Sequence, residues 1–211
     1  ENNSMYLISS HNFDALMIDG QSQNVSIANW FFKKFNFKGS LATESWITKD
    51  NINSTISNNS FNGEIDMLSI DIDGNDYWIW ESIDVVNPRL VIIEYNASFF
   101  DQSITVPYNE FFDRTNFSNY PTDSHWYHGA SLKSLISLGE KKGYYLIGTE
   151  SKGVNAFFLR KDICDEFKIS KKDFTQAFKD HFSRKNGTLS KVPMSSEEQF
   201  SHLKNYEFVK I

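Results

Sequence analysis

Cysteine is nearly missing from this chain: one residue of 211, Cys164, carries a thiol. That excludes an internal disulfide framework and any multi-thiolate zinc cluster, and it suits a reducing compartment. Proline (4) and glycine (10) are scarce as well, which leaves long stretches free to form helix and strand. No apolar run approaches the roughly 20 residues that a membrane span requires, and no signal-peptide pattern opens the chain. Positive charge is in the minority. With 21 Lys+Arg against 27 Asp+Glu the net charge is −6, so the chain lacks the broad cationic field that nucleic acid or an anionic membrane attracts. We read it as soluble and cytoplasmic. The Asn-x-Ser/Thr triplets at Asn53, Asn96 and Asn186 lie in a background rich in Asn and Ser and carry no glycosylation reading.

Aromatic residues are plentiful, with 19 Phe, 9 Tyr and 5 Trp making up 16% of the chain. A 40% hydrophobic and 23% charged composition excludes disordered, collagen-like and coiled-coil chains. The length fits one domain with an appendage. Residues 1–160 read as that domain, and 161–211 as a charged extension of helical and polar character.

The chain opens on Glu1-Asn2-Asn3-Ser4, which resembles a helix cap before Met5 to Ile8. The beginning of the domain is therefore expected upstream. Ala15 to Ile18 is an unbroken apolar run ending at Asp19-Gly20, the pattern of a parallel strand buried on both faces. Helical spacing follows over 25–36, where the Trp30-Phe31-Phe32-Phe35 cluster reads as core. Ser40 to Trp46 suggests a second strand, and Thr48 to Ile56 a short helix with Asn51 and Asn53 facing water. After an Asn-rich loop, Met67 to Ile70 is a strand and Tyr77 to Ile83 a helix. Leu90 to Ile93 is the next strand, ending at Glu94-Tyr95-Asn96. Successive strand–helix–strand units argue for an α/β domain with a mainly parallel sheet. Residues 97–128 lack periodicity and read as a long functional loop. A helix opened by Gly129-Ala130-Ser131, running through Leu132, Leu135, Ile136 and Leu138 and ending at Lys141-Lys142-Gly143, and strands over Tyr144–Ile147 and Asn155–Arg160 complete the domain.

Ligands in parallel α/β sheets bind at the carboxyl ends of the strands. Three strands here end in acids or amides: at Asp19, at Asp71-Ile72-Asp73, and at Glu94-Tyr95-Asn96. Asp and Asn at strand ends also make turns and caps, so each alone has a structural account. Three on one sheet edge would repel unless a cation or polar ligand compensates. Asp19 sits where nucleotide-binding folds place a ribose acceptor; a turn at Asp19-Gly20 is the competing account. Asp71, Asp73, Glu94 and Asn96 offer hard oxygen ligands of the type Mg²⁺ takes; caps from Asp71 and Asp76 around Gly74 compete with that. His128, with His125, flanks Trp126-Tyr127 and offers a proton acceptor, although exposed loop histidines are usually inert. Cys164 reads as a bystander.

The blocks Asp66–Trp78, Ile92–Asn96, Tyr127–Leu132, Lys142-Gly143-Tyr144 and Gly153–Phe158 together resemble the FkbM-type S-adenosylmethionine-dependent methyltransferases. The resemblance runs to about Arg160. It implies a Rossmann-like, three-layer fold with a mainly parallel sheet and a C-terminal antiparallel hairpin. It further implies that Asp19 and Gly20 hold the ribose of S-adenosylmethionine, that Glu44-Ser45-Trp46 lies near the adenine, and that Asp71 and Asp73 face the methyl donor and the acceptor hydroxyl. Asp71, Glu94 and Asn96 could hold a divalent cation. The family's first strand and Gly-rich turn do not occur in this sequence, and they are expected either upstream of Glu1 or to be lost in a degenerate relative. The activity implied is O-methylation of a sugar, glycan precursor or similar polar small molecule, by a protein that need not be a monomer: a homodimer is compatible. A metal-dependent glycosyltransferase using Asp71-Ile72-Asp73, or a non-catalytic methyltransferase-like subunit, stands as the alternative.

Overall fold

The computed structural model describes residues 3–117, 125–187 and 192–211. Glu1 and Asn2 of the opening cap, and Pro121 of the long loop, lie outside the described residues. The chain divides into two compact units, Glu1–Ile65 with Ser82–Asn87, and Asp66–Glu81 with Pro88–Ile211.

In the first unit, α1 (Met5–His11) is stopped by Asn12 in the left-handed region at φ 55°, whose amide donates to the Leu7 carbonyl. Then come β1 (Ala15–Asp19), α2 (Ser22–Lys34), β2 (Ser40–Glu44) and α3 (Ile52–Asn58). Strands β1 and β2 are parallel, in register from Ala15↔Ser40 to Asp19↔Glu44. Ile8, Phe32 and Ala42 form the buried centre of this unit, flanked by Val25, Ala28 and Phe31. Two expectations change here. The apolar run of β1 predicts burial on both faces, but all five residues are half-buried, because among the described residues β2 is the one strand paired with β1 in this sheet. Of the aromatic cluster on α2 only Phe32 is buried, whereas Trp30 is 58% and Phe35 52% exposed. They lie off the helix face that meets the strands, on which Val25, Ala28 and Phe32 recur at helical spacing. Nor do Asn51 and Asn53 simply face water. Asn53 brackets the chain at Ser82 and Asp84, and Asn51 donates to the Trp46 carbonyl and accepts from the Thr48 amide.

Further along, β3 (Gly63–Ile70), α4 (Asp76–Ser82) and β4 (Val86–Glu94) precede β5 (Ile104–Thr105), α5 (Leu132–Lys142), β6 (Tyr144–Thr149) and β7 (Asn155–Arg160). A four-stranded sheet has the order β3-β4-β7-β6. Strands β3 and β4 run the same way: the Gly63 amide meets the Val85 carbonyl where both begin, and the carboxylates of Asp71 and Glu94 meet where both end. Strand β7 is antiparallel to both β4 and β6. The 150–154 turn is closed by the Glu150 carboxylate, which accepts from the Lys152 and Val154 amides. Helix α5 is N-capped by Ser131 and ended by Gly143 at φ 91°. Its buried face carries Leu132, Leu135 and Leu138, and Gly139 lies against the Trp80 and Phe158 rings, whose centroids are 5.0 Å apart.

The described residues of the 97–128 stretch include a 3₁₀ turn (Ala97–Phe99), β5 and a second 3₁₀ turn (Arg114–Asn116). The residues after Arg160 pack into this same unit as α6 (Lys161–Phe167), α7 (Phe174–Ala177), α8 (Phe182–Lys185), α9 (Ser196–Ser201) and β8 (Val209–Lys210). Strand β8 pairs antiparallel with β5, and the fully buried Leu203 joins Phe99, Val106, Trp126 and Tyr127 in one apolar cluster.

Candidate active site

At the carboxyl ends of β1 and β2, the parallel register sets Asp19 opposite Glu44, and the Ser45 amide donates to the Asp19 carbonyl at 3.0 Å. The Asp19 carboxylate closes its own turn: Oδ1 accepts from the Gln21 amide at 2.7 Å and Oδ2 from Asn24 Nδ2 at 2.9 Å. A carboxylate has about four acceptor positions, so two remain for further donors. The Trp46 ring is 58% exposed and lies against Gly20, where a Cβ would come within 3.1 Å of it. The structure therefore brings Asp19, Gly20, Glu44, Ser45 and Trp46 together, and it also bears out the turn at Asp19-Gly20.

In the second unit, Asp71, Asp73 and Glu94 have carboxylate oxygens within 4.8 Å of one another; the two aspartates are exposed and Glu94 is half-buried. What shapes this ledge is the turn after β3. Asp76 is fully buried, and its Oδ1 accepts from the Ile72 amide (2.9 Å) while its Oδ2 accepts from the Gly74 amide (3.0 Å). The turn forces Asp73 into the left-handed region at φ 58°. Gly74 is there because a Cβ would overlap the Phe112 ring. Asp76 thus caps the loop that carries the acids, and Asn75 ties that loop to Asn109. Burial, seconded by the Glu94 charge, pushes the Asp76 carboxyl up to about 7 from 3.8.

Arg114 pairs with Asp73 at 2.5 Å. Arg184, from α8, is buried and donates to Asn96 Oδ1 (3.0 Å) and Ser98 Oγ (2.9 Å). Burial lowers its guanidinium to about 10, so it stays a cation beside Glu94. Asn96 is spent within the fold. Its Oδ1 also accepts from the Ser98 amide, and its Nδ2 donates to the Trp126 and His128 carbonyls. Of the four oxygen-bearing residues the sequence pattern marks, Asp71, Asp73 and Glu94 come together, while Asn96, which the resemblance sets with Asp71 and Glu94, is engaged by Arg184, Ser98, Trp126 and His128.

His128 is no exposed loop residue: it is 1% exposed, with Nδ1 2.8 Å from the His125 carbonyl. A carbonyl only accepts, so Nδ1 carries the proton and Nε2 the lone pair. Nε2 has no hydrogen-bond partner and lies 3.9 Å from Glu94 Oε1. Burial, with Arg184 and Arg114 adding to it, lowers the imidazole to about 3, so the ring is neutral at physiological pH. His125 lies apart from this contact, its Nδ1 3.4 Å from the Phe117 carbonyl. Arg114 and Arg184 are absent from the sequence-based set. The one available signal was scarcity, since the chain has only four arginines.

The chain is similar to the crystal structure of the N-terminal domain of EvdMO1 with SAH bound, with a TM-score of 0.42 and 8% identity over 68% of this chain. It spans 62% of that chain's length. No family model and no curated protein matches the sequence. Among the described residues no helix is long and apolar enough to cross a membrane.

Proposed function

We propose that the protein is an S-adenosylmethionine-dependent methyltransferase that methylates a hydroxyl of a sugar, glycan precursor or similar polar small molecule. The observation that carries this reading is the gathering of Asp19, Glu44 and the exposed Trp46 ring beside Gly20 at the ends of two parallel strands. Two carboxylates suit ribose hydroxyls, and an exposed indole suits a purine face. The FkbM-type resemblance of the sequence points to the same place.

When bound, S-adenosylmethionine supplies a methyl group already activated as a sulfonium. The residues of this chain then orient the acceptor and take its proton. Where no cation is bound, Asp73, which is exposed, suits the proton acceptor once Arg114 releases it. His128 is covered and too weak a base, so it serves behind Glu94. Asp71, Asp73 and Glu94 form a hard-oxygen set that fits Mg²⁺, which when bound would lower the pKa of the acceptor hydroxyl. The lone pair of His128 Nε2 facing Glu94 at 3.9 Å supports positive charge at this ledge.

The test is calorimetric titration of the protein with S-adenosylhomocysteine. Asp19→Ala removes a charged acceptor of two donors and should weaken binding about tenfold to hundredfold. Asp71→Asn should abolish methyl transfer to saccharide hydroxyls with the circular dichroism unchanged. No heat of binding in the wild type, or full turnover in Asp71→Asn, refutes the reading.

A further inference from the structure

Helix α2 and its C-cap carry apolar side chains that stay largely exposed, although Phe35 also meets the Phe31 and Phe37 rings at centroid distances of 4.6 and 6.4 Å. Ile27 is 59% exposed, Trp30 58% and Phe35 52%. Ile27, Trp30 and Lys34 recur at i, i+3 and i+7, a stripe separate from the one that buries Phe32. Lys34 Nζ stands over the Trp30 ring, 4.5 Å from its centroid, and 5.8 Å from that of Phe35. Lys33 and Lys38 are exposed beside it. From Gly20 to Thr43 the sequence has these three lysines and no Asp or Glu, in a chain of net charge −6. The whole-chain charge, which argues against an anionic surface, averages this patch away.

We propose that this face of α2 docks on an anionic lipid surface, with Trp30, Ile27 and Phe35 entering the headgroup boundary and Lys33, Lys34 and Lys38 meeting the lipid charges. Tryptophan with flanking lysines is the composition that membrane interfaces select. An α2 of 13 residues is too short to span, so it lies on the surface. A second copy of this chain fits less well: face-to-face pairing of the same helix stripe would set Lys33 and Lys34 against their own copies, while Asp14 lies beside Gly39 at the Lys38 end. The proposal goes beyond the methyl-transfer reading and does not depend on it.

The experiment is co-sedimentation of the full chain with vesicles of phosphatidylcholine alone and of phosphatidylcholine with phosphatidylserine, with tryptophan emission recorded in parallel. Binding is expected on the serine-containing vesicles, with a blue shift of emission and release by added salt. Trp30→Ala should abolish binding, and each of Lys33→Ala and Lys34→Ala should weaken it roughly fivefold. These side chains are exposed, so the variants keep the wild-type circular dichroism and melting profile. Absence of binding to the anionic vesicles overturns the proposal, and so does undiminished binding by Trp30→Ala. A concentration-dependent dimer that Trp30→Ala dissolves, without lipid binding, assigns the face to a second copy and overturns it equally.

Discussion

Asp76→Asn is the perturbation that weighs the turn beneath the acid ledge. In the wild type one carboxylate accepts from two backbone amides, Ile72 and Gly74, in a fully buried position. Asparagine keeps one acceptor and turns a donor toward the other amide, which leaves a buried N–H unsatisfied at a cost of about 1–3 kcal/mol. Against this stands the burden of a buried charge. The carboxyl titrates at about 7 when folded and near its ordinary 3.8 when unfolded. Between those values the folded state holds the extra proton, so stability falls as pH rises through the window and is flat above it. At about 1.4 kcal/mol per pH unit, the penalty reaches about 4 kcal/mol by neutral pH. The asparagine side chain does not titrate. Urea unfolding of both proteins at several pH values from 4 to 8 follows Asp76 together with the acids whose charges act on it, Glu94 and Asp71, because the remaining groups cancel in the difference. The variant should be the less stable at pH 4 and gain on the wild type up to about pH 7. A stability difference that does not change with pH refutes the reasoning.

Gly139→Ala should lower the melting temperature, because the added methyl meets the Phe158 and Trp80 rings at 2.8 and 3.1 Å; overpacking of this kind costs about 1–3 kcal/mol. Arg184→Met should cost about 2–4 kcal/mol in denaturant unfolding, since Asn96 and Ser98 lose a charged donor and Glu94 its buried counter-ion. Asp73→Gly and Asp73→Ala should both lose whatever the carboxylate does, but the alanine variant should be about 1 kcal/mol less stable than the glycine variant, because alanine keeps the Cβ that φ 58° crowds and glycine does not. Equal melting temperatures for the two would remove the backbone argument.

The elements of this fold are largely legible in the sequence because their signals are local. The apolar runs of β1, β3 and β4 and the helical spacing of α5 depend on neighbours a few residues away, and the structure ends these strands at or within one residue of the run, although β3 and β4 begin four residues before it. Burial is less legible. The run Ala15–Ile18 looks the same whether a strand has one neighbour or two, so its half-buried state does not show in the pattern. Trp30 and Phe35 mislead for a related reason: periodicity marks a stripe as apolar without saying which side meets the core. At the site, strand-end position alone marks Asp19, Asp71 and Glu94, but what each atom does depends on remote partners. Asn96 reads as a ligand because nothing near it in sequence reveals that Arg184, 88 positions on, occupies its oxygen. His128 reads as exposed because its cover comes from other parts of the fold.

Arg184 and β8 also fix the order in which the second unit can be finished. Ser98 bonds Gln199, 101 positions away, and the Tyr95 hydroxyl bonds the Lys179 carbonyl, 84 positions away. Closing spans of that size is entropically slow, so such contacts form late. On a ribosome, the strands bearing Asp71 and Glu94 emerge well before the segment that supplies their buried cation. For that interval the growing chain carries an acidic shelf without its guanidinium, and a stalled or clipped product ending before α8 would keep it that way.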